Sequence, residues 1–255
     1  MPKELERQDW LENYFDYEPG QDVLIVEPTG GGKTVIAYQM MAEVMRRYPR
    51  LSYMSLMPKP RDRSTVEWAA ALNLRETPQW PEPWKPRHLF QPKPAGHVLW
   101  PHHRMDLAPA QRREEVGKVL RAGLDAQYKK GDSVSLVDDA HSAATYMGLN
   151  DYIEEILVNG RAGGAGVWLP VQKPSGTVNS GGITSFAYSS PIHYLFGKDT
   201  DARNLARLRE VGGGIDPARV EQIVRNLRLY RIGDATVSEK LWIDRRGPVM
   251  ALIGP

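Results

Sequence analysis

Apolar residues in this chain follow two rhythms. One is the short uninterrupted run: "VLIV" at 23–26, "LSYMSLM" at 51–57, "SVSLVDD" at 133–139, "VWLPVQ" at 167–172 and "HYLFGK" at 193–198. Runs of this length and β-branched content predict buried strands. The other rhythm has helical spacing. Residues 34–48 place Ile36, Met40, Met41, Val44 and Met45 on one stripe. Residues 106–130 do the same with Val116, Val119, Leu120 and Leu124, with Asp106 as the cap and Gly131 as the stop. Further helices are predicted over 151–159, closed by Gly160, and over 199–211, stopped by Gly212, Gly213 and Gly214. Asp216 and Pro217 suit the N-cap and first turn of another, whose stripe is Val220, Ile223, Val224 and Leu227. "LYRI" and "KLWID" predict a terminal β-hairpin. Strands alternating with helices, several of them wholly apolar, predict an α/β fold: a mostly parallel sheet covered on both faces.

One stretch breaks the pattern. Residues 77–101 hold seven prolines and three tryptophans, a density that opposes helix and central strand alike. The expectation is an irregular, proline-rich excursion over about 59–105, with a short strand at 97–100, in a chain of 255 residues forming one domain. Trp80, Trp84 and Trp100 are expected to pack the excursion onto the core rather than to stack on bases.

Composition narrows the classes. A hydrophobic fraction of 41% and a charged fraction of 25% are those of a soluble globular protein. The net charge is only +2, so any nucleic-acid surface must be a local patch. Residues 75–130 carry 11 Lys and Arg against 6 Asp and Glu, among them Arg112, Arg113, Lys129 and Lys130, a pattern usually no more than a solvated helix face. The chain has no cysteine, which excludes disulfides and thiolate metal sites. No run approaches the ~18 apolar residues of a membrane span. The charged opening "MPKELERQDW" is no secretory signal. A cytoplasmic protein without a membrane partner is expected. His102 and His103 have no third ligand nearby in sequence and read as surface residues.

The chemistry starts where the first strand ends. Glu27-Pro28-Thr29-Gly30-Gly31-Gly32-Lys33-Thr34 matches the second half of the phosphate-binding pattern G-x-x-x-x-G-K-[ST] and departs at its first position, Glu27 for glycine. The mechanism survives the change. Glycines let backbone N–H groups converge on phosphate oxygens, Lys33 can reach the β- and γ-phosphates, and the Thr34 hydroxyl can hold Mg2+. The helix N-terminus adds a positive dipole end. Residues Thr29, Gly30, Gly31, Gly32, Lys33, Thr34 and Val35 are the predicted nucleotide contacts. Glu27 is expected to turn away from the phosphates or to touch a neighbouring subunit.

A nucleotide hydrolase also needs a metal-linked acid and a group that orients water. "SLVDDAH" offers two carboxylates at a strand end. Successive strand residues point to opposite faces, so the strand must end between them for both to serve one site. Asp138 is assigned to Mg2+ and Asp139 to the attacking water. Gln172 is placed to sense the γ-phosphate and link it to Lys173 and the loop beyond. Arg161, set among glycines, is placed to reach a neighbour's γ-phosphate.

These pieces in this order, "TGGGKT", "LVDDAH" and "VNGRAGGAGVWLPVQKPSG", resemble the FtsK/HerA family of DNA-translocating ATPases, and most of all its small single-domain members in bacterial viruses. The resemblance implies a RecA-like (ASCE) P-loop NTPase, ATP and Mg2+ as cofactors, and a homo-oligomeric ring, usually hexameric, with double-stranded DNA threaded through it. It implies a packaging or DNA-transfer motor, in the host cytoplasm if viral. By position it gives Lys33 and Thr34 to nucleotide and metal, Asp138 to the metal-linked role, Asp139 to the place of the usual catalytic glutamate, Arg161 to the trans-acting finger and Gln172 to the sensor. The loop at 173–182 is a weaker candidate for lining a pore. Three alternatives stand beside the motor. "DDAH" looks like a helicase box, though 255 residues leave no room for a second RecA domain. A kinase would need an arginine-rich lid, and none is evident. A non-motor nucleotide switch or assembly ATPase would hydrolyse slowly if Asp139 is a poor base.

Overall fold

The computed structural model describes residues 2–83, 93–172, 183–211, 214–233, 235–247 and 249–255. In chain order the elements are β1 (Lys3–Leu5), α1 (Arg7–Asn13), β2 (Val23–Val26), α2 (Lys33–Arg47), β3 (Ser52–Leu56), α3 (Arg63–Ala71), β4 (Leu74–Thr77), β5 (Gly96–Leu99) and α4 (Pro109–Lys130). They continue with β6 (Ser133–Val137), α5 (Ala140–Met147), α6 (Asn150–Asn159), β7 (Ala165–Val171), α7 (Phe186–Ser189), β8 (His193–Phe196), α8 (Ala202–Arg207), α9 (Pro217–Asn226), β9 (Leu229–Ile232), β10 (Ala235–Ser238), β11 (Lys240–Asp244) and β12 (Val249–Ile253).

Ten strands form one sheet in the order β1-β12-β11-β8-β2-β7-β6-β3-β5-β4. From β8 across to β4 every pairing is parallel. Only β11 runs against its neighbours β8 and β12. Alternation along β2 shows why the strands are apolar throughout. Leu24 and Val26 belong to a core with α4, α5, α6 and α9. Val23 and Ile25 belong to a second core with α1, α2 and α3. Both faces are covered, as expected of a parallel sheet. The second core is rich in aromatics, with Trp10 edge-on to Trp242 at 5.9 Å between ring centroids.

Four expectations need correction. The stretch over 59–105 holds more than the short strand expected at 97–100, which is β5: α3 and β4 also lie within it, and β4 and β5 extend the parallel sheet beyond β3. α3 and β4 escaped because each is short and they lie beside the proline-rich run rather than in a longer apolar pattern. "LYRI" does not pair with "KLWID". β9 pairs with β10, and β11 joins the main sheet between β8 and β12. The polar four-residue β10 gave no apolar signal. Asp106 does not cap α4, which begins at Pro109 after Ala108, and pairs instead with Arg104. The helix expected over 199–211 is shorter, an α-helix capped by Asp201 followed by a 3-10 turn. Gly212 and Gly213 lie outside the described residues.

Trp80 packs on the core, and Trp100 is buried with its indole N–H donating to the Lys59 carbonyl at 2.9 Å. Trp84 lies outside the described residues. Among the described residues no helix is long and apolar enough to cross a membrane. His102 is exposed and His103 half-buried, and among the described residues no cluster of three metal-ligating side chains forms.

Candidate active site

Parallel strands deliver their C-terminal ends to one edge, and the candidate residues collect there. β2 runs into the glycine loop. β7, its neighbour, ends at Gln172. β6, next again, ends at Asp138 and Asp139. Main-chain bonds carry the ladder past the strand ends: Glu27 N–H to the Val171 carbonyl at 3.0 Å, Gly197 N–H to Val26 at 2.8 Å and Asp138 N–H to Leu56 at 3.0 Å.

The loop ends at Gly32, whose φ of 96° is open to glycine and strained for other residues, and α2 begins at Lys33. Across the site the Thr34 hydroxyl donates to Asp138 Oδ1 at 3.3 Å. The Thr29 hydroxyl donates to Gln172 Oε1 at 3.0 Å. Lys33 is buried among charges: burial pushes its pKa down, opposed by Asp138, Glu27 and Asp139. Val35 is half-buried in the first turn of α2. The strand ends between the two aspartates, as the expectation required. Asp138 is buried at the ladder's end, while Asp139 takes the left-handed region with φ 49° and turns out of the strand at the residue before α5, without a side-chain bond to that helix's backbone. Its Oδ2 accepts from Ser142 Oγ at 2.7 Å.

Two features escaped the sequence reading. The first is Lys59, two residues past the main-chain bond that closes β3. Its ammonium meets Asp138 Oδ2 at 2.6 Å and Asp62 Oδ2 at 3.3 Å. Burial works against that charge, but the two carboxylates outweigh it and raise the Lys59 pKa. A lysine after the strand next to the acid strand was the available signal, and it needs the strand order to be read. The second is the floor of the glycine loop. Glu27 turns beneath the loop, as expected; what the sequence did not reveal is its partners, for it accepts from Lys240 Nζ at 2.6 Å and Ser238 Oγ at 2.8 Å, with both charged side chains 1% exposed. Lys240 also donates to the Gly31 carbonyl at 3.1 Å. Gly31 is needed here because a Cβ on it would come within 2.3 Å of the Glu27 carboxyl group. The signal was a charged residue at the end of each of two wholly apolar runs, "VLIVE" and "KLWID".

Arg161 is the predicted site residue that this chain does not bring to the loop. It sits in the 3-10 turn Gly160–Gly163 that leads into β7, whereas Gln172 follows the other end of that strand. At about 3.3 Å per residue the two ends of β7 are ~20 Å apart. Arg161 is exposed, and its charge acts on Asp22 at the start of β2. Lys173 and the loop at 173–182 lie outside the described residues.

No protein-family model matches the chain, and no curated protein does. Solved structures do. The genome packaging NTPase B204 from Sulfolobus turreted icosahedral virus 2, in complex with ATP-gammaS, matches with a TM-score of 0.59 at 13% identity, over 94% of this chain and 99% of that one. The chain has a RecA-like P-loop NTPase fold. The DNA-packaging ATPase B204 from Sulfolobus turreted icosahedral virus matches equally broadly, at a TM-score of 0.58 and 14% identity over 94% and 99% of the two chains. The P-loop strand β2, separated from the acid strand β6 by β7, gives the order of this fold's central strands, β8-β2-β7-β6-β3.

Proposed function

We propose that this chain is an ATP hydrolase that drives movement of double-stranded DNA, in packaging or DNA transfer, from a homo-oligomeric and most simply hexameric ring. The observation that carries the ATP site is the contact from Thr34 to Asp138, which joins the start of α2 to the acid that follows β6. Lys33 binds the terminal phosphates. The Thr34 hydroxyl and the Asp138 carboxylate are the oxygen donors Mg2+ prefers and would hold it. When bound, it neutralises charge on the β- and γ-phosphates. Asp139 orients a water toward the γ-phosphorus and accepts its proton as the bond to the β–γ bridging oxygen breaks, leaving ADP and phosphate. Gln172, tied to Thr29 of the P-loop, is placed to report the γ-phosphate to the chain beyond it. Arg161, on the opposite edge of the sheet, can serve only a neighbour's site.

DNA as the cargo rests on the motif series shared with FtsK/HerA motors and on the fold shared with a DNA-packaging ATPase. The test is the ATPase rate with and without long duplex DNA at low salt. Stimulation that weakens steeply as salt rises is expected of phosphate-backbone contacts; a rate unmoved by DNA contradicts the motor. A second reading has one observation in its favour. Asp139 is a methylene shorter than glutamate and is held by Ser142, which suits a slow switch. Slow turnover indifferent to DNA would favour that reading.

A further inference from the structure

The P-loop has a second neighbour besides the acids. The β9–β10 hairpin leans on it from the β8 side: Val237 Cγ1 lies 3.8 Å from where a Cβ on Gly32 would be. Cross-strand pairing of Leu229 with Ser238 and of Arg231 with Thr236 puts these four on one hairpin face. That face and the P-loop border an open cavity of about 490 Å³, lined by Glu27, Pro28 and Thr29 on one side and by Leu229, Thr236 and Ser238 on the other, with Lys198. Leu229 is 56% exposed. The wall is tied to the loop. The Lys198 main-chain N–H donates to Ser238 Oγ at 3.2 Å, and Ser238 in turn donates to Glu27 beneath the P-loop.

Direction follows from the sheet. Asp138 and Gln172 fix the terminal phosphate on the β7–β6 side of the loop. The other end of the nucleotide therefore leaves toward β8, where this cavity opens. We infer that the cavity between the P-loop and the β9–β10 hairpin takes the ribose and base of the nucleotide, with Leu229 and Pro28 as apolar surfaces for the planar ring and the Thr236 hydroxyl for its polar edge. The slot is large enough for a nucleoside. This assignment rests on the ATP reading above.

The experiment compares ATP with inorganic tripolyphosphate, which has the phosphates and no base or ribose, by calorimetry on the full chain. The natural protein should bind ATP at least tenfold more tightly than tripolyphosphate. Leu229→Asp should weaken ATP about tenfold and leave tripolyphosphate unchanged, and Thr236→Trp, which fills the slot, should do the same. Equal loss of both ligands, or no loss of ATP in either variant, overturns the assignment. So does a Leu229→Asp protein that binds ATP normally but changes its particle mass, which would make the hairpin a protomer contact. Lys33→Ala separates the two claims. It should lose both ligands, and retention of both would overturn the P-loop reading itself, whatever Leu229 does.

Discussion

Glu27 stands where the phosphate-loop pattern has glycine, and its surroundings turn a mismatch into a structural joint. Burial pushes its carboxyl up and the Lys240 ammonium down, and each charge opposes the shift of the other. Removing one member of such a buried pair strands the other. Glu27→Gln should therefore cost about 3–5 kcal/mol in urea denaturation. The double variant Glu27→Gln, Lys240→Met should recover most of that loss. An unaltered midpoint in the single variant would show that the pair does not anchor the loop. Lys59 makes a separate prediction. It neutralises Asp138 on the same carboxylate assigned to Mg2+. Lys59→Met should melt at a lower temperature without nucleotide and gain more from Mg2+ and ATP than the natural protein does, measured as the difference between the two thermal shifts. Equal gains would mean that the lysine and the metal do not share the carboxylate.

At the scale of elements, the strand bearing the P-loop is also pinned at its start. Asp22 is buried just before β2, and its Oδ1 accepts from the Val167 N–H of β7 at 2.8 Å. Burial raises its pKa from 3.8 to about 8, opposed by the Val167 N–H and the Arg161 charge. A folded-state pKa above the unfolded one means the folded protein holds the extra proton. The stabilisation is full below 3.8 and drains as pH rises toward about 8. Asp22→Asn keeps the acceptor without the charge, so stability measured between pH 5 and pH 8 should become flatter in that variant; an unchanged slope would place the titration elsewhere. Much of this level was legible in sequence. β2, α2, β3, β6, α6, β7 and β8 fall where apolar rhythm and caps place them, because a strand buried on both faces and an amphipathic helix each carry their own signature. α3 and β4 did not, since they are short and flanked by prolines. The β9–β10 pairing did not, since β9 is largely exposed and carries no burial pattern. At the site, Lys33, Thr34, Asp138, Asp139 and Gln172 were readable as motif. Lys59 and the pairing of Glu27 with Lys240 were not, because these partners are set by strand order and by contacts across 79 to 213 residues of chain.

Over the whole molecule, the sheet separates the groups proposed to act together in hydrolysis. The P-loop, the acids and Gln172 occupy the C-terminal edge, and Arg161 occupies the other. A finger worth ~10³ to 10⁵ in rate is then useful only in an assembly that sets one protomer's far edge against the next protomer's P-loop. Arg161→Ala should bind ATP normally and hydrolyse it about a thousandfold more slowly or worse. Lys33→Ala should neither bind nor hydrolyse. The most direct measurement is the ATPase rate of the two inactive proteins mixed together. Mixed rings contain interfaces that pair an intact P-loop with an intact arginine, so hydrolysis should return, to about a quarter of the natural rate if subunits mix at random and act independently. A mixture as inactive as its components, or an Arg161→Ala protein that hydrolyses ATP at the natural rate on its own, would contradict a site shared between neighbours.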